Sequence, residues 1–198
     1  SRRLEHFLLG FASGVMTAAA VWSLLLPSID QSASEGMGKL AAIPAGIGVA
    51  AGMLALLGLD NLIPHLHLNS DNPEGVHSEL GRKTMLCLAV TIHNIPEGMA
   101  PGILIAGLMS GSEGMTIGAA LTLAVGLAIQ NFPEGAVISM PLAGGGTGKF
   151  RAFVMGTLSG AVEPIAGILT IFFASSFISM MPFFLSFAAG AMLYVVVE

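Results

Sequence analysis

"HNIPEGMA" (residues 93–100) and "QNFPEGAV" (residues 130–137) decide how this chain is read. The two stretches begin 37 residues apart and share N-x-P-E-G in the same register. Each places a proline, a glutamate and a His or Gln inside a run that is otherwise apolar. Over 198 residues, 54% are hydrophobic and only 10% are charged, with a mean hydropathy of +0.84. An average soluble domain carries roughly 25% charged residues. Apolar runs of about 20 residues recur, more than a soluble core can hide. The composition therefore implies an all-α membrane protein, a polytopic helical bundle whose surroundings are the lipid bilayer. The net charge of −5 arises from 12 acids and 7 bases, and no basic patch points to nucleic acid. A single cysteine, Cys87, excludes an internal disulfide.

Working outward from the two motifs, the hydrophobic pattern gives six spans, at 4–29, 40–63, 84–109, 116–143, 151–175 and 180–198. They form one transmembrane domain over 1–198. Only the intervening segment 64–83, "PHLHLNSDNPEGVHSELGRK", is long enough to act as more than a turn. Lys and Arg fix the orientation. Arg2, Arg3, Arg82, Lys83, Lys149 and Arg151 fall on the side of the N-terminus, and Lys39 falls on the other. That bias places the histidine-bearing loop 64–83 in the cytoplasm, and the membrane expected for the chain is a cell (plasma or inner) membrane. The G-x-x-x-G pairs Gly10/Gly14, Gly48/Gly52 and Gly156/Gly160 allow close helix packing, within the chain or across a homodimer.

In each motif two polar side chains are four residues apart, His93 with Glu97 and Gln130 with Glu134. Positions i and i+4 share a helix face. Each span thus projects a polar stripe, flanked by Asn94 or Asn131, and two consecutive spans can set their stripes face to face. An ionisable group at the bilayer centre costs at least about 2.5–3.5 kcal/mol, so such groups mark function by default. Pro96 and Pro133 each remove a helical hydrogen bond beside the stripe and kink the helix there. Repeated interrupted elements in oppositely oriented spans are a transporter pattern. The fifth span adds Glu163 in "GAVEPIAG". Met16, Ser23 and Asp30 follow one another at steps of seven, near one face of the first span, with Asp30 at its outer mouth. Asp60, His65 and His67 stand at the cytoplasmic end of the second span.

Carboxylate, imidazole, amide and thioether donors together suit a divalent transition metal, Zn2+ or else Fe2+, Mn2+, Co2+ or Cd2+. Blander roles exist for the same residues. The acids and His93 can form a structural ion cluster, the amides can be interhelical hydrogen-bond glue, Met16 can be core filler, and His65 and His67 can be solvated. Rival functions are an intramembrane metal-dependent hydrolase, a proton or monovalent-ion pathway, and a membrane scaffold. The hydrolase lacks a part: in an H-E-x-x-H site a Glu follows the first His, and here Asn94 stands there.

"HNIPEG" and "QNFPEG" in adjacent spans, with "GAVEPIAG" in the next, closely resemble the ZIP (Zrt-, Irt-like protein) family of divalent metal transporters, most of all the bacterial GufA-like branch. The resemblance runs the length of the chain. It implies an eight-span fold with kinked, inverted-repeat core helices, of which the six spans here match the second to the seventh, so that the sequence reads as cut at both ends. It implies a transporter, not an enzyme, with Zn2+ or another divalent metal as substrate and no organic cofactor. It further implies a binuclear mid-membrane centre. Met16, His93, Glu97, Gln130 and Glu134 would hold the first metal; Asn94, Asn131 and Glu163 would hold the second, with Glu97 and Glu134 as bridges. Many members carry Asp where this chain has Asn131. Ser23 and Asp30 match an outer entry path, and Asp60, His65, His67 and Glu198 an inner exit.

Overall fold

The computed structural model describes residues 2–66, 73–112, 115–176 and 178–197, and these are almost entirely helical. His67 and Glu198, two of the expected exit residues, lie outside the described residues. The first span starts as α1 (Arg2–Ala18), widens into a π-helical turn over Ala19–Leu25, and tightens again into α2 (Leu26–Ser32). Pro27 explains the widening. It has no N–H to offer the carbonyl of Ser23, and its ring crowds that turn. The Leu26 amide accordingly bonds back to Val21 O, five residues earlier. A second π segment, Ala33–Met37, is bent at Gly36, whose φ of 97° only glycine adopts without strain. The helical rod therefore continues well past residue 29, the expected end.

Five more rods follow, the fifth expected span being built from two helices. They are α3 (Ala42–Leu62), α4 (Arg82–Met109), α5 (Ile117–Gly144), α6 (Lys149–Ser159) with α7 (Val162–Ser175), and α8 (Met181–Val197). Thr116 caps α5 by accepting a hydrogen bond from the Ala119 amide at 3.1 Å. Among the described residues, five helical stretches are long and apolar enough to cross a membrane: His6–Leu40, Ala42–Leu62, Ile117–Gly144, Lys149–Ala174 and Ile178–Val197. α4 has the length, at 28 residues, and covers the expected span 84–109. Its hydropathy is diluted by His93, Asn94, Pro96 and Glu97, the same side chains that make it interesting. Large apolar side chains such as Trp22, Phe132, Phe150 and Phe172 face outward, as a lipid-facing surface demands. The chain is an all-α polytopic membrane protein.

Two helix pairs organise the bundle, α3 along α8 and α4 along α7; α5 lies against α1 and α6, and α8 also packs on α4. Glycines set the two main approaches. A Cβ at Gly48 or Gly52 would collide with Ser186 Oγ or the Phe187 carbonyl of α8, and one at Gly98 would collide with the backbone of Glu163 in α7. Gly48/Gly52 is thus consumed inside the chain, as is Gly156, which faces Ser139 and the Gly135 carbonyl. Gly10 and Gly14 meet nothing. The principal core joins Met16 and Leu24 of the first rod, Ile103 and Leu104 of α4, Leu123 and Leu127 of α5, and Met181, Leu185 and Met192 of α8.

Candidate metal centre

α4 and α5 both continue through their internal prolines, Pro96 and Pro101 in one and Pro133 and Pro141 in the other. The polar stripes meet as their spacing predicts. Gln130 Nε2 donates to Glu97 Oε1 at 2.8 Å and to Glu134 Oε1 at 2.5 Å, so one amide group ties together carboxylates from both motifs. Glu97 and Gln130 are fully buried; His93 and Glu134 are half-buried.

The break in the helical rods near the cluster falls in the fifth span. The helix stops at Ser159, turns through Gly160 and Ala161, and restarts at Val162. Pro164 falls in the first turn of α7, where its missing N–H costs nothing. Glu163 enters the same first turn, at the positive end of the helix. Its Oε2 accepts from Asn131 Nδ2 at 2.5 Å. From α4, Asn94 Nδ2 donates to the Ser159 carbonyl at 3.4 Å and so caps the end of α6. Gly160 leaves the room this needs: a Cβ there would lie 3.3 Å from Glu163 Oε1 and 3.9 Å from Asn94 Nδ2. The sequence signal for this break was the G-x-x-E-P pattern, read as a third carboxylate and not as a helix start.

The amides donate their N–H groups and leave oxygens behind. Asn94 Oδ1, Glu97 Oε2, Gln130 Oε1, Asn131 Oδ1, Glu134 Oε2 and Glu163 Oε1 are buried and receive no hydrogen bond from any described residue. An orphaned buried acceptor costs about 1–3 kcal/mol. A set of acceptors with no donor to serve them is what a cation satisfies. Among the described residues, no three His, Cys, Asp or Glu side chains converge in ready ligand geometry. A metal ion held at this cluster would draw on amide oxygens as well, in a site more open than a closed zinc cage.

Two cavities reach it. One, of about 310 Å3, holds Met16, His93, Asn94 and Glu134 in its wall, with Leu66 and Leu86 toward the N-terminal end of α4. The other, of about 560 Å3, lies between α4, α5 and α6 and is lined by Asn94, Asn131, Glu134, Ser139 and Glu163 among others. Asn94 and Glu134 belong to both walls. Of the eight expected ligands, Met16, His93, Asn94, Asn131, Glu134 and Glu163 line these cavities; Gln130 bonds to Glu134, and Glu97 is joined to them only through Gln130.

The expected pathway residues are less united. Met16 is buried, Ser23 half-buried and Asp30 exposed. The π turn at Ala19–Leu25 resets the helical phase between them, so steps of seven no longer share a face. Ser23 instead lines a separate groove of about 260 Å3 with Trp22, Thr122 and Gly126. At the other end, His65 is not solvated. It is fully buried, with Nδ1 2.8 Å from the Ile63 carbonyl and Nε2 3.8 Å from Asp60 Oδ1. Its backbone pairs with Glu74 across the loop, and the neighbouring Leu66 lines the Met16–His93 cavity.

No family model matches the chain. Individual relatives do. It is 33% identical to the human zinc transporter ZIP11 over 273 aligned residues, covering 100% of this chain and 80% of that protein. It is 35% identical to the zinc transporter ZIPB of Bordetella bronchiseptica over 99% of this chain and 62% of that protein. With the zinc transporter GufA of Myxococcus xanthus the identity is 30%, over 99% and 75% of the two chains.

Proposed function

This chain belongs to the ZIP family of zinc transporters, and we propose that its divalent metal substrate is Zn2+, carried into the cytoplasm through the Glu97–Gln130–Glu134 cluster. It is a transporter of divalent metal and not an enzyme. The observation that carries the siting is the array of orphaned acceptor oxygens on α4, α5 and α7. His93 and Met16 add nitrogen and sulfur donors from the wall of the smaller cavity, a mixture that suits Zn2+ better than Mg2+ or Ca2+. Metal held by a few carboxylates, amides and exchangeable water is bound weakly enough to leave again, as conduction requires.

Entry runs from the Asp30 end of the first rod. The exit leads through the Met16–His93 cavity toward the segment carrying Asp60 and His65. The loop 64–83 faces the cytoplasm by its Lys/Arg bias, and the membrane is the cell membrane. A homodimer contact has one G-x-x-x-G pair left to use, Gly10/Gly14 on α1. The test is uptake of radioactive zinc by proteoliposomes containing the full natural polypeptide. Saturable uptake that Glu134→Ala and His93→Ala each abolish, with the helical fold retained, is the expected result. Uptake unaffected by Glu134→Ala overturns this site, and a well-folded protein that moves no zinc overturns the substrate.

A further inference from the structure

The cluster has two chemically different halves. His93 and Met16 give one half its nitrogen and sulfur. The other half, at the break between α6 and α7, offers oxygen alone: Asn94 Oδ1, Asn131 Oδ1 and Glu163 Oε1, all buried and unserved by any described donor. Asn94 is 3% exposed, and all three residues line the larger cavity. Each amide has its NH2 committed, Asn94 to Ser159 O and Asn131 to Glu163 Oε2, so the carbonyl oxygen is the end left to act as a ligand. The C-terminal end of α6, the negative pole of an 11-residue helix, closes the same corner. Carbonyl-type oxygens and a helix C-terminus at an interrupted span are the surroundings in which membrane transporters hold small hard cations.

Charge decides which cation. Glu97, Glu134 and Glu163 supply three negative charges, and no Lys or Arg lines either cavity among the described residues. Two divalent ions would leave one positive charge buried and a single divalent ion one negative charge, each costly in a low dielectric. One divalent ion balances the three carboxylates together with either a proton or a monovalent cation, and the unserved oxygens of Asn94, Asn131 and Glu163 are ligands that a monovalent cation uses and a proton does not. We propose that the Asn94–Asn131–Glu163 half binds a monovalent hard cation of the Na+ class beside a single transition-metal ion, in place of the second transition-metal ion that the family resemblance implies. The inference rests on the transport site described above.

Zinc titration of the purified full polypeptide, in sodium chloride and in choline chloride, tests it. The expected result is one zinc ion per chain in either salt, bound about tenfold more tightly in sodium, within the usual range of coupling between two sites. Asn131→Leu removes the sodium effect. Asn131→Asp adds a fourth carboxylate, balances two divalent ions, and raises the stoichiometry to two. Wild-type protein that takes two zinc ions, or that binds zinc equally well in both salts, overturns the proposal while leaving the transport site intact. Protein that binds no zinc in either salt removes the site on which the proposal rests.

Discussion

Gly98 follows the α4 glutamate directly, and its missing side chain is what lets α4 and α7 touch. A Cβ built on Gly98 collides with the carbonyl oxygen of Glu163 and lies 2.6 Å from its Cα and 2.8 Å from its carbonyl carbon. These are backbone atoms, so no rotamer change relieves the contact and the helices must part. Gly98→Ala has a favourable side, because alanine is better than glycine in a helix by about 1 kcal/mol. Overpacking of a close contact costs about 1–3 kcal/mol. The net expectation is a loss of up to about 2 kcal/mol, at most a factor of about 30 in the folded ratio. The residue pushed aside carries Glu163, so metal binding suffers along with stability. Gly58→Ala in α3 is the control: its Cβ meets nothing within 4 Å, so only the propensity gain operates. Thermal unfolding in detergent, followed by circular dichroism, should place Gly98→Ala below wild type and Gly58→Ala at or above it. A Gly98→Ala protein that melts with wild type and retains full zinc uptake would refute the reasoning that the α4–α7 approach positions the cluster.

Three further outcomes follow from the same structure. Gln130→Leu removes the one amide that donates to both Glu97 and Glu134, so in metal-free protein the sealed Glu97 and the half-buried Glu134 each lose a donor; a stability loss of about 1–3 kcal/mol for Glu97, and less for Glu134, is expected by thermal unfolding, reduced when zinc is present. Zinc affinity should fall steeply between about pH 8 and about pH 5, because carboxylate and imidazole ligands must shed their protons to hold metal; a flat binding curve over that range counts against the site. Ser28 and Ser186 both donate to the Pro182 carbonyl, at 2.6 and 2.9 Å; the Ser28 bond ties the first rod to α8, and the Ser186 bond stays within α8. Each change to Ala alone should cost less than about 1 kcal/mol while the other donor remains, and the double variant more than the sum; strict additivity in unfolding would show that the two bonds are independent.

The duplicated N-x-P-E-G motif was the most legible feature, because i, i+4 spacing fixes a helix face whatever the tertiary surroundings. The amide-bridged carboxylates of the structure sit where that spacing put them. Span positions were also readable from hydropathy, to within one residue for α5. The break in the fifth span is not readable from the sequence, because Pro164 beside Glu163 reads as part of the polar theme and not as a helix start. At Pro96 and Pro133 the helix continues, whereas Pro164 stands at a helix start made available by Gly160. The phase shift in the first rod was not legible, since periodicity assumes a constant 3.6 residues per turn and a π turn breaks that assumption. His65 was equally opaque: its burial depends on a chain reversal that brings Glu74 alongside, a long-range pairing that local polarity does not reveal.

The two motifs are near-identical in sequence and unequal in structure, and that inequality bears on how metal moves. α4 packs against α5, α6, α7 and α8, while α5 contacts α1, α4 and α6 and turns Phe132 toward the lipid. Glu97 is therefore sealed, with 0% exposure, while Glu134 stands in the walls of both cavities. The partner positions are exchanged in the opposite sense: Gln130, the neutral amide, is sealed, and His93, the stronger ligand, faces the smaller cavity. The glycines differ likewise. Gly98 is held against backbone, but a Cβ at Gly135 would come no nearer than 3.7 Å to the Gly156 carbonyl, an ordinary contact. One copy of the motif thus forms a fixed floor and the other an accessible face. In the transport route proposed above, a cation entering from either cavity would meet Glu134 before Glu97, with the Gln130 amide linking the two carboxylates.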